Sequence, residues 1–455
     1  MTTILEQFGS FIEECQQKTF SDKTMHHARR ALLDWQGSLI AGSDTEAAIK
    51  LIAAYAEELG SGSCSVAGTT KKTFTRAGAF MNGTISHIAE FDDIYRDGAY
   101  HPAAPTISGV FALAEQRNDA IDHLLRAIIV GYEVSTRISK VIQPSHYRFF
   151  HTTGTVGVFG SAAACAYLLR LNKGQACDAL ATAATFASGL QQAFRSDSMT
   201  KPMHPGHAAE VGVNAALTAQ AGMTGTPDIL EGSAGFGAAL SQNPRWEEVF
   251  KDLGNTWNIE QMTFKNYGCC GHNFPSIDGV AYLLHQHQIN WQDIANIRIG
   301  GYKATKEVCC YVHPQTSFEA KFSLTYTVSA RIIYGRVREK AFLEDAIKNP
   351  DIHMLEDKIQ VAIDAECESH FPVHRSAKVE IEMQDGTRFQ HYQKTRHGDP
   401  DDPLTDQELM DKFFELSEPR IGKEQAEYLA NRILIPSNHS VRDISNDWRA
   451  IESMQ

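Results

Sequence analysis

A chain of 455 residues is too long for one hydrophobic core and is expected to fold as two domains. Its formal charge of −13, with no Lys/Arg-rich run, argues against nucleic acid as a partner, and no uncharged apolar run is long enough for a membrane span. The opening MTTILEQFGSFIEECQQ has neither the basic nor the apolar region of a secretory signal, so a cytoplasmic location is expected. The nine cysteines are odd in number, include two adjacent pairs and form no C-x-x-C, which reads as reduced thiols and not as a disulfide framework or a zinc site.

From residue 3 to about 240 the pattern is helix after helix, with apolar residues at helical spacing over 4–15, 26–41 and 46–59. Gly-rich turns at 60–63 and 68–70 flank a short extended piece at 64–67, and helices are predicted over 76–90, 120–141, 151–171, 173–188 and 207–221. The last of these are rich in Ala and Gly, which lets helices approach closely. Beyond about residue 265 the character changes. Residues 294–299 read as a strand, 378–383 alternate, Asp385–Gly386 signals a hairpin, and 387–393 is its polar second strand. Helices are predicted at 276–287 and 323–334, a loop at 394–404 and a short closing helix at 442–453. The expectation is a mainly α protein: a large all-α helical domain over 1–265, completed by 431–455, and a smaller α+β lid domain over 266–430.

One stretch stands out for chemistry. NGTISHIAEFDDIYRDGAYHPAAP, residues 82–105, carries His87, Glu90, Asp92, Asp93, Tyr95, Arg96, Asp97, Tyr100 and His101 between two apolar runs. Polar groups in a buried context are paired or functional. The chain is expected to leave a helix near Asp93 and start another near Pro102, since proline suits a first helical turn. That places His101 at a helix N-terminus, where free N–H groups favour an anion. The plain alternative is a solvated loop whose acids cap helix ends.

Further stretches set basic and aromatic groups beside small residues: 149–154 with His151, 201–208 with Lys201, His204 and His207, 265–272 with Lys265, Tyr267 and His272, and 319–326 with Lys321 and Tyr326. His151 reads equally well as a helix cap, and Lys201 as an ordinary surface lysine. Lys265, flanked by Gly and Cys, gains little as surface charge and much as a pocket cation or base. His204 and His207 lack a third ligand at matching spacing, so no metal is expected. On spacing alone Tyr326 is more often core than catalytic. There is no G-x-G-x-x-G after a strand, no Walker lysine motif and no G-x-S-x-G, so NAD, ATP and serine-hydrolase readings lack support. What remains, a set of His, Lys, Tyr and Asp, suits a small di- or tricarboxylate from which a proton α to a carboxylate is abstracted.

Taken in order, these stretches resemble the MmgE/PrpD family over nearly the whole chain. The matching pieces are Asn82-Gly83 with His87, Phe91-Asp92-Asp93 with His101-Pro102, and the Phe150-His151 run into Gly160 and Ala162 to Ala164. They continue with Thr200-Lys201, His204, Gly206 and Ala208, then Lys265, Tyr267 and His272, the run from Ala320 to Tyr326, and the Gly398 to Asp406 loop. The resemblance implies a cofactor-free homodimer whose active site lies in a cleft between a helical domain and a lid. It implies catalytic roles for Lys265, His151, His101, Asp93, Lys201 and Tyr326, with His204, His272, Tyr267, Tyr100 and Arg96 binding substrate and Asp93 orienting its neighbours. Family members include 2-methylcitrate dehydratases, cis-aconitate decarboxylases and an iminodisuccinate epimerase. This chain departs from the pattern at Glu90, where Asp is usual, at Ile94, where Thr is usual, at Ala103 and Ala104, and at Arg195 and Asp197. Loss of a hydroxyl donor at 94 favours epimerisation of an iminodisuccinate-like dicarboxylate. The alternatives are dehydration of a 2-methylcitrate-like acid, decarboxylation of cis-aconitate, or a carboxylate-binding member without chemistry.

Overall fold

The computed structural model describes residues 2–196, 198–437 and 439–448. It is mainly α, 58% helix and 9% strand. The chain forms two compact units, one from Met1–Thr263 with Thr405–Gln455, the other from Phe264–Leu404. Among the described residues, no helix is long and apolar enough to cross a membrane.

In the first unit the Gly157–Leu168 helix is buried on every side. A helix this short in side chains, GVFGSAAACAYL, has no polar face to offer water and is covered all round. The Ile121–Val141, Ala103–Arg117 and Met203–Gln220 helices pack against it. Met203–Gln220 also packs on the Thr75–Ile88 helix, and glycines set that spacing. A Cβ on Gly206 would lie 2.4 Å from the Phe80 carbonyl oxygen, and one on Gly83 would lie 2.9 Å from the Gly206 Cα. Only glycine at both positions lets the two helices meet backbone to backbone. The neighbouring Asn82 side chain bonds the Ser65 carbonyl (2.8 Å) and the Ala67 N–H (3.1 Å), pinning the short ladder of β1 (Cys64–Ser65) and β2 (Lys72–Thr73).

The return to this unit begins at Thr405, earlier than the residue 431 expected from sequence. The Asp406–Ile421 helix buries Leu409, Phe413 and Leu416, with Phe413 and Leu416 against Gly37 of the Asp22–Gly42 helix. Its Lys412 is buried as well. The closing helix is Val441–Asp447, and Arg442 bonds the Glu115 and Gln116 carbonyls; the rest of the helix predicted over 442–453 lies largely outside the described residues. Other boundaries differ too. The 46–59 helix stops at Ala54, 151–171 divides into Thr152–Thr155 and Gly157–Leu168, and the helix expected from 207 starts at Met203.

In the second unit β3 (Ile294–Gly301), β4 (Ile359–Ile363), β5 (Ala377–Met383) and β6 (Arg388–Gln393) form a sheet in the order β4-β3-β5-β6. β3 and β4 are parallel; the other pairs are antiparallel. The Phe274–Gln286 and Leu324–Tyr334 helices supply Val280, Leu283, Leu324 and Val328 to a core shared with Ile297, Ile299, Val379 and Ile381. β4 escaped the sequence reading because it is a short edge strand exposed over much of its length.

Candidate active site

The segment between the Thr75–Ile88 and Ala103–Arg117 helices is held in an unusual backbone. Glu90 and Ala99 both adopt left-handed conformations (φ +62° and +47°), which non-glycine residues accept at a cost of about 1–3 kcal/mol each. Phe91 packs on Ala41 and Leu416, and its carbonyl accepts a hydrogen bond from Lys412 Nζ (2.7 Å). Lys412 also pairs with buried Asp34 at 2.6 Å. The C-terminal return therefore clamps the residue immediately before Asp92.

Asp92 lies fully buried between two imidazoles. Its Oδ2 is 2.7 Å from His87 Nδ1 and 3.3 Å from His101 Nδ1. Burial pushes its carboxyl up, but the two imidazoles outweigh burial and hold it well below the usual range. Asp93, its neighbour, goes the other way. Burial, with Asp34 nearby, raises it well above the ordinary value despite bonds from the Ala103 N–H (3.0 Å) and the Tyr132 hydroxyl (2.9 Å). Adjacent carboxylates driven apart in this way mark different tasks. Asp92 is the charged group that orients imidazoles, and Asp93 caps the Ala103–Arg117 helix.

The imidazoles continue beyond His87. Its ring centroid is 5.0 Å from that of His101 and 5.6 Å from that of His151, and His151 lies 5.3 Å from His204. His151 Nδ1 and His204 Nδ1 are 3.0 Å apart. Burial and the surrounding His and Lys charges lower His151 well below its usual value, and burial lowers His204 to about 4. Both rings are neutral at pH 7, so one Nδ1 carries the proton and donates to the other. The pair then presents one bare Nε2 and one Nε2–H, a base and an acid side by side. Lys201 pairs with Glu90, and its ammonium lies 5.1 Å from the Phe194 ring centre; the same ring stands edge-on to His151 at 4.6 Å.

In the second unit Lys265 is buried, with 2% of its surface exposed. Tyr267 donates to Asp278 at 2.6 Å, and the His397 N–H donates to the other oxygen at 2.8 Å. Burial nevertheless raises the Asp278 carboxyl to about 7. His272 Nδ1 lies 2.8 Å from the Tyr302 hydroxyl, and burial, with Arg375 and Arg396, lowers the ring to about 3. Arg396 grips Asp399 through two bonds (2.9 and 2.5 Å).

The structure brings His101, His151, Lys201 and His204 into one cluster and adds His87, Asp92 and Phe194. Tyr326 is fully buried and its hydroxyl donates to the Ala341 carbonyl at 2.5 Å, fixing a chain crossing inside a core. Tyr100 is fully buried near Gly160, and the Tyr267 hydroxyl donates to Asp278. Arg96 sits half-buried on a short 3-10 turn. Asp93 accepts from the Ala103 N–H and the Tyr132 hydroxyl. The signal for Asp92 and His87 was present, since both stand in the motif with His101, but spacing does not say which of two adjacent buried aspartates faces the imidazoles. His204 and His207 do not converge, because His207 Nε2 faces the Phe186 carbonyl at 3.3 Å. His87, Asp92 and His101 do offer three ligand atoms within 4.8 Å of one another, a set of the kind that holds a divalent ion.

Two family models match the chain. The model of the MmgE/PrpD N-terminal domain matches residues 6–249, and that of the MmgE/PrpD C-terminal domain matches residues 267–434. The cis-aconitate decarboxylase of Homo sapiens is 27% identical over 436 residues, covering 91% of this chain and 87% of that protein. The cis-aconitate decarboxylase-like protein oryM of Aspergillus oryzae (strain ATCC 42149 / RIB 40) is 25% identical over 460 residues, covering 95% and 94%. A cis-aconitate decarboxylase of Aspergillus terreus is 26% identical over 381 residues, covering 78% and 77%.

Proposed function

This chain belongs to the MmgE/PrpD family of enzymes, and from that premise we propose that it is a lyase removing one carboxyl group, as CO2, from an unsaturated tricarboxylate of the cis-aconitate type. The relatives named above carry that activity in their names. The observation that carries the proposal is the neutral His151–His204 pair beside the Asp92-held His87 and His101. In the reaction the bond to the departing carboxylate breaks and its electron pair passes into the adjoining double bond and the carboxylate conjugated with it. The substrate is its own electron sink, so the step asks the protein for positioning and for one proton. An imidazole Nε2–H of the cluster delivers that proton to carbon, and solvent restores it. Lys201 supplies positive charge for a retained carboxylate. The working partners are a small polycarboxylate and a second copy of the chain.

Epimerisation of an iminodisuccinate-like dicarboxylate, favoured on sequence by Ile94, would use the same proton-moving pair but release nothing. The test is proton and carbon NMR in D₂O with cis-aconitate, 2-methylcitrate, citrate and iminodisuccinate stereoisomers. Loss of a carboxylate from cis-aconitate with one deuterium placed on carbon supports the proposal. Deuterium exchange without CO2 would replace it with an epimerase, and a new alkene from 2-methylcitrate with a dehydratase.

A further inference from the structure

A second cluster of ligating side chains lies in the Phe264–Leu404 unit, and the decarboxylation chemistry leaves it unused. His353 and Glu356 sit three apart on the Pro350–Glu356 helix and share one face. His313 reaches them from a turn 40 residues earlier, held in a left-handed backbone at φ +49°. We propose that His313, His353 and Glu356 form a binding site for a divalent transition-metal ion of the zinc class.

The geometry is that of a ligand triangle. His313 Nδ1 lies 3.2 Å from His353 Nδ1 and 3.7 Å from Glu356 Oε2, and His353 Nδ1 lies 2.8 Å from the same oxygen. A tetrahedral zinc with bonds of about 2.0–2.1 Å separates its ligands by about 3.3 Å, inside that range. The outer contacts are also those of a metal site. His313 Nε2 is 2.9 Å from Asp357 Oδ1, so Nε2 carries the ring proton and Nδ1 is left bare toward the triangle. Glu356 Oε1 accepts from the Thr325 hydroxyl (2.7 Å) and the His313 N–H (3.3 Å), which leaves Oε2 for the ion.

Charge points the same way. The Glu356 side chain is fully buried, and among the described residues its ion-pair partners are the two imidazoles. A buried carboxylate needs a positive partner. A divalent ion bound there supplies that charge. The His313 and His353 side chains are 42% and 25% exposed, which gives an ion a route in and leaves a fourth position for water. Bound there, it would tie the His313 turn to the Pro350–Glu356 helix.

The experiment uses the full-length protein stripped with chelator, then titrated with Co²⁺ followed by visible absorption and with Zn²⁺ followed by equilibrium dialysis and a thermal-shift assay. The proposal expects one Co²⁺ with ligand-field bands of low-symmetry four- or five-coordination, and one tightly held Zn²⁺ that raises the melting temperature. His353→Ala weakens binding at least 100-fold, and the exposed Asp357→Asn, which spares the fold, weakens it about 10–100-fold. His101→Gln, which removes a ligand from the set in the other unit, leaves this signal unchanged. The proposal is overturned if the wild type binds no Co²⁺ or Zn²⁺ above background, or if Asp357→Asn and His353→Ala bind like wild type. It is equally overturned if His101→Gln alone abolishes the signal.

Discussion

Lys412 gives the sharpest test of how the carboxyl-terminal return supports the site. Its ammonium is almost wholly buried, pairs with Asp34 at 2.6 Å and holds the Phe91 carbonyl at 2.7 Å. Lys412→Met keeps the apolar stem and removes the charge. Removing one partner of a buried pair typically costs about 3–5 kcal/mol, because the other charge is left in the interior. For a unit of this size that corresponds to a melting temperature lower by roughly 6–10 °C. The loss depends on pH, and its sign follows from Asp34. Burial already raises the Asp34 carboxyl in the native protein, and Lys412 is the largest influence holding it down. With Lys412 gone, Asp34 titrates still higher when folded than its unfolded value of about 3.9, so the folded state binds the extra proton between the two values. Stability of the variant therefore falls as pH rises from 5 to 8. Adding Asp34→Asn removes the stranded charge and recovers at least about 2 kcal/mol. Urea denaturation of the single and double variants at pH 5 and pH 8 reads all of this. The reasoning fails if Lys412→Met stays within about 1 kcal/mol of wild type at both pH values, or if the double variant is no more stable than the single.

Tyr326→Phe should cost about 1 kcal/mol of stability and leave turnover per folded molecule unchanged, since its hydroxyl serves only the Ala341 carbonyl; a thermal melt with an activity assay checks both. Tyr267→Phe removes a donor to Asp278, whose carboxyl titrates at about 7 in the folded state. Its cost, about 1–3 kcal/mol, should therefore be smaller at pH 5, where Asp278 is protonated, than at pH 8, as denaturation at the two values will show. His204→Gln breaks the neutral imidazole pair and should lower turnover by about 10²–10⁴-fold with little change in melting temperature.

The helical half was legible because an Ala- and Gly-rich run such as 155–171 has only one way to exclude water, and the hairpin at Asp385–Gly386 announced β5 and β6. The stretch around His87 to His101 was legible for a related reason, since acids between two apolar runs have to be partnered. What spacing did not carry was direction. The left-handed turn at Glu90 decides that Asp92, and not Asp93, faces the imidazoles. Tyr267 and Tyr326 look alike in sequence to tyrosines that present a hydroxyl, but packing spends their hydroxyls inside the fold. Lys412 reads as one more surface lysine until the return of the chain places Asp34 beside it. His313 stood too far from His353 for any local motif to join them.

The most direct test of the central claim follows ¹³CO2 from cis-aconitate labelled at its carboxyl groups, with wild type and Asp92→Asn side by side. Asp92→Asn keeps the shape of the side chain and removes the charge that holds His87 and His101. The account predicts steady ¹³CO2 release by wild type and a rate at least about 100-fold lower for a folded Asp92→Asn protein. Wild-type protein that releases no ¹³CO2, or an Asp92→Asn variant that releases it at the wild-type rate, would contradict it.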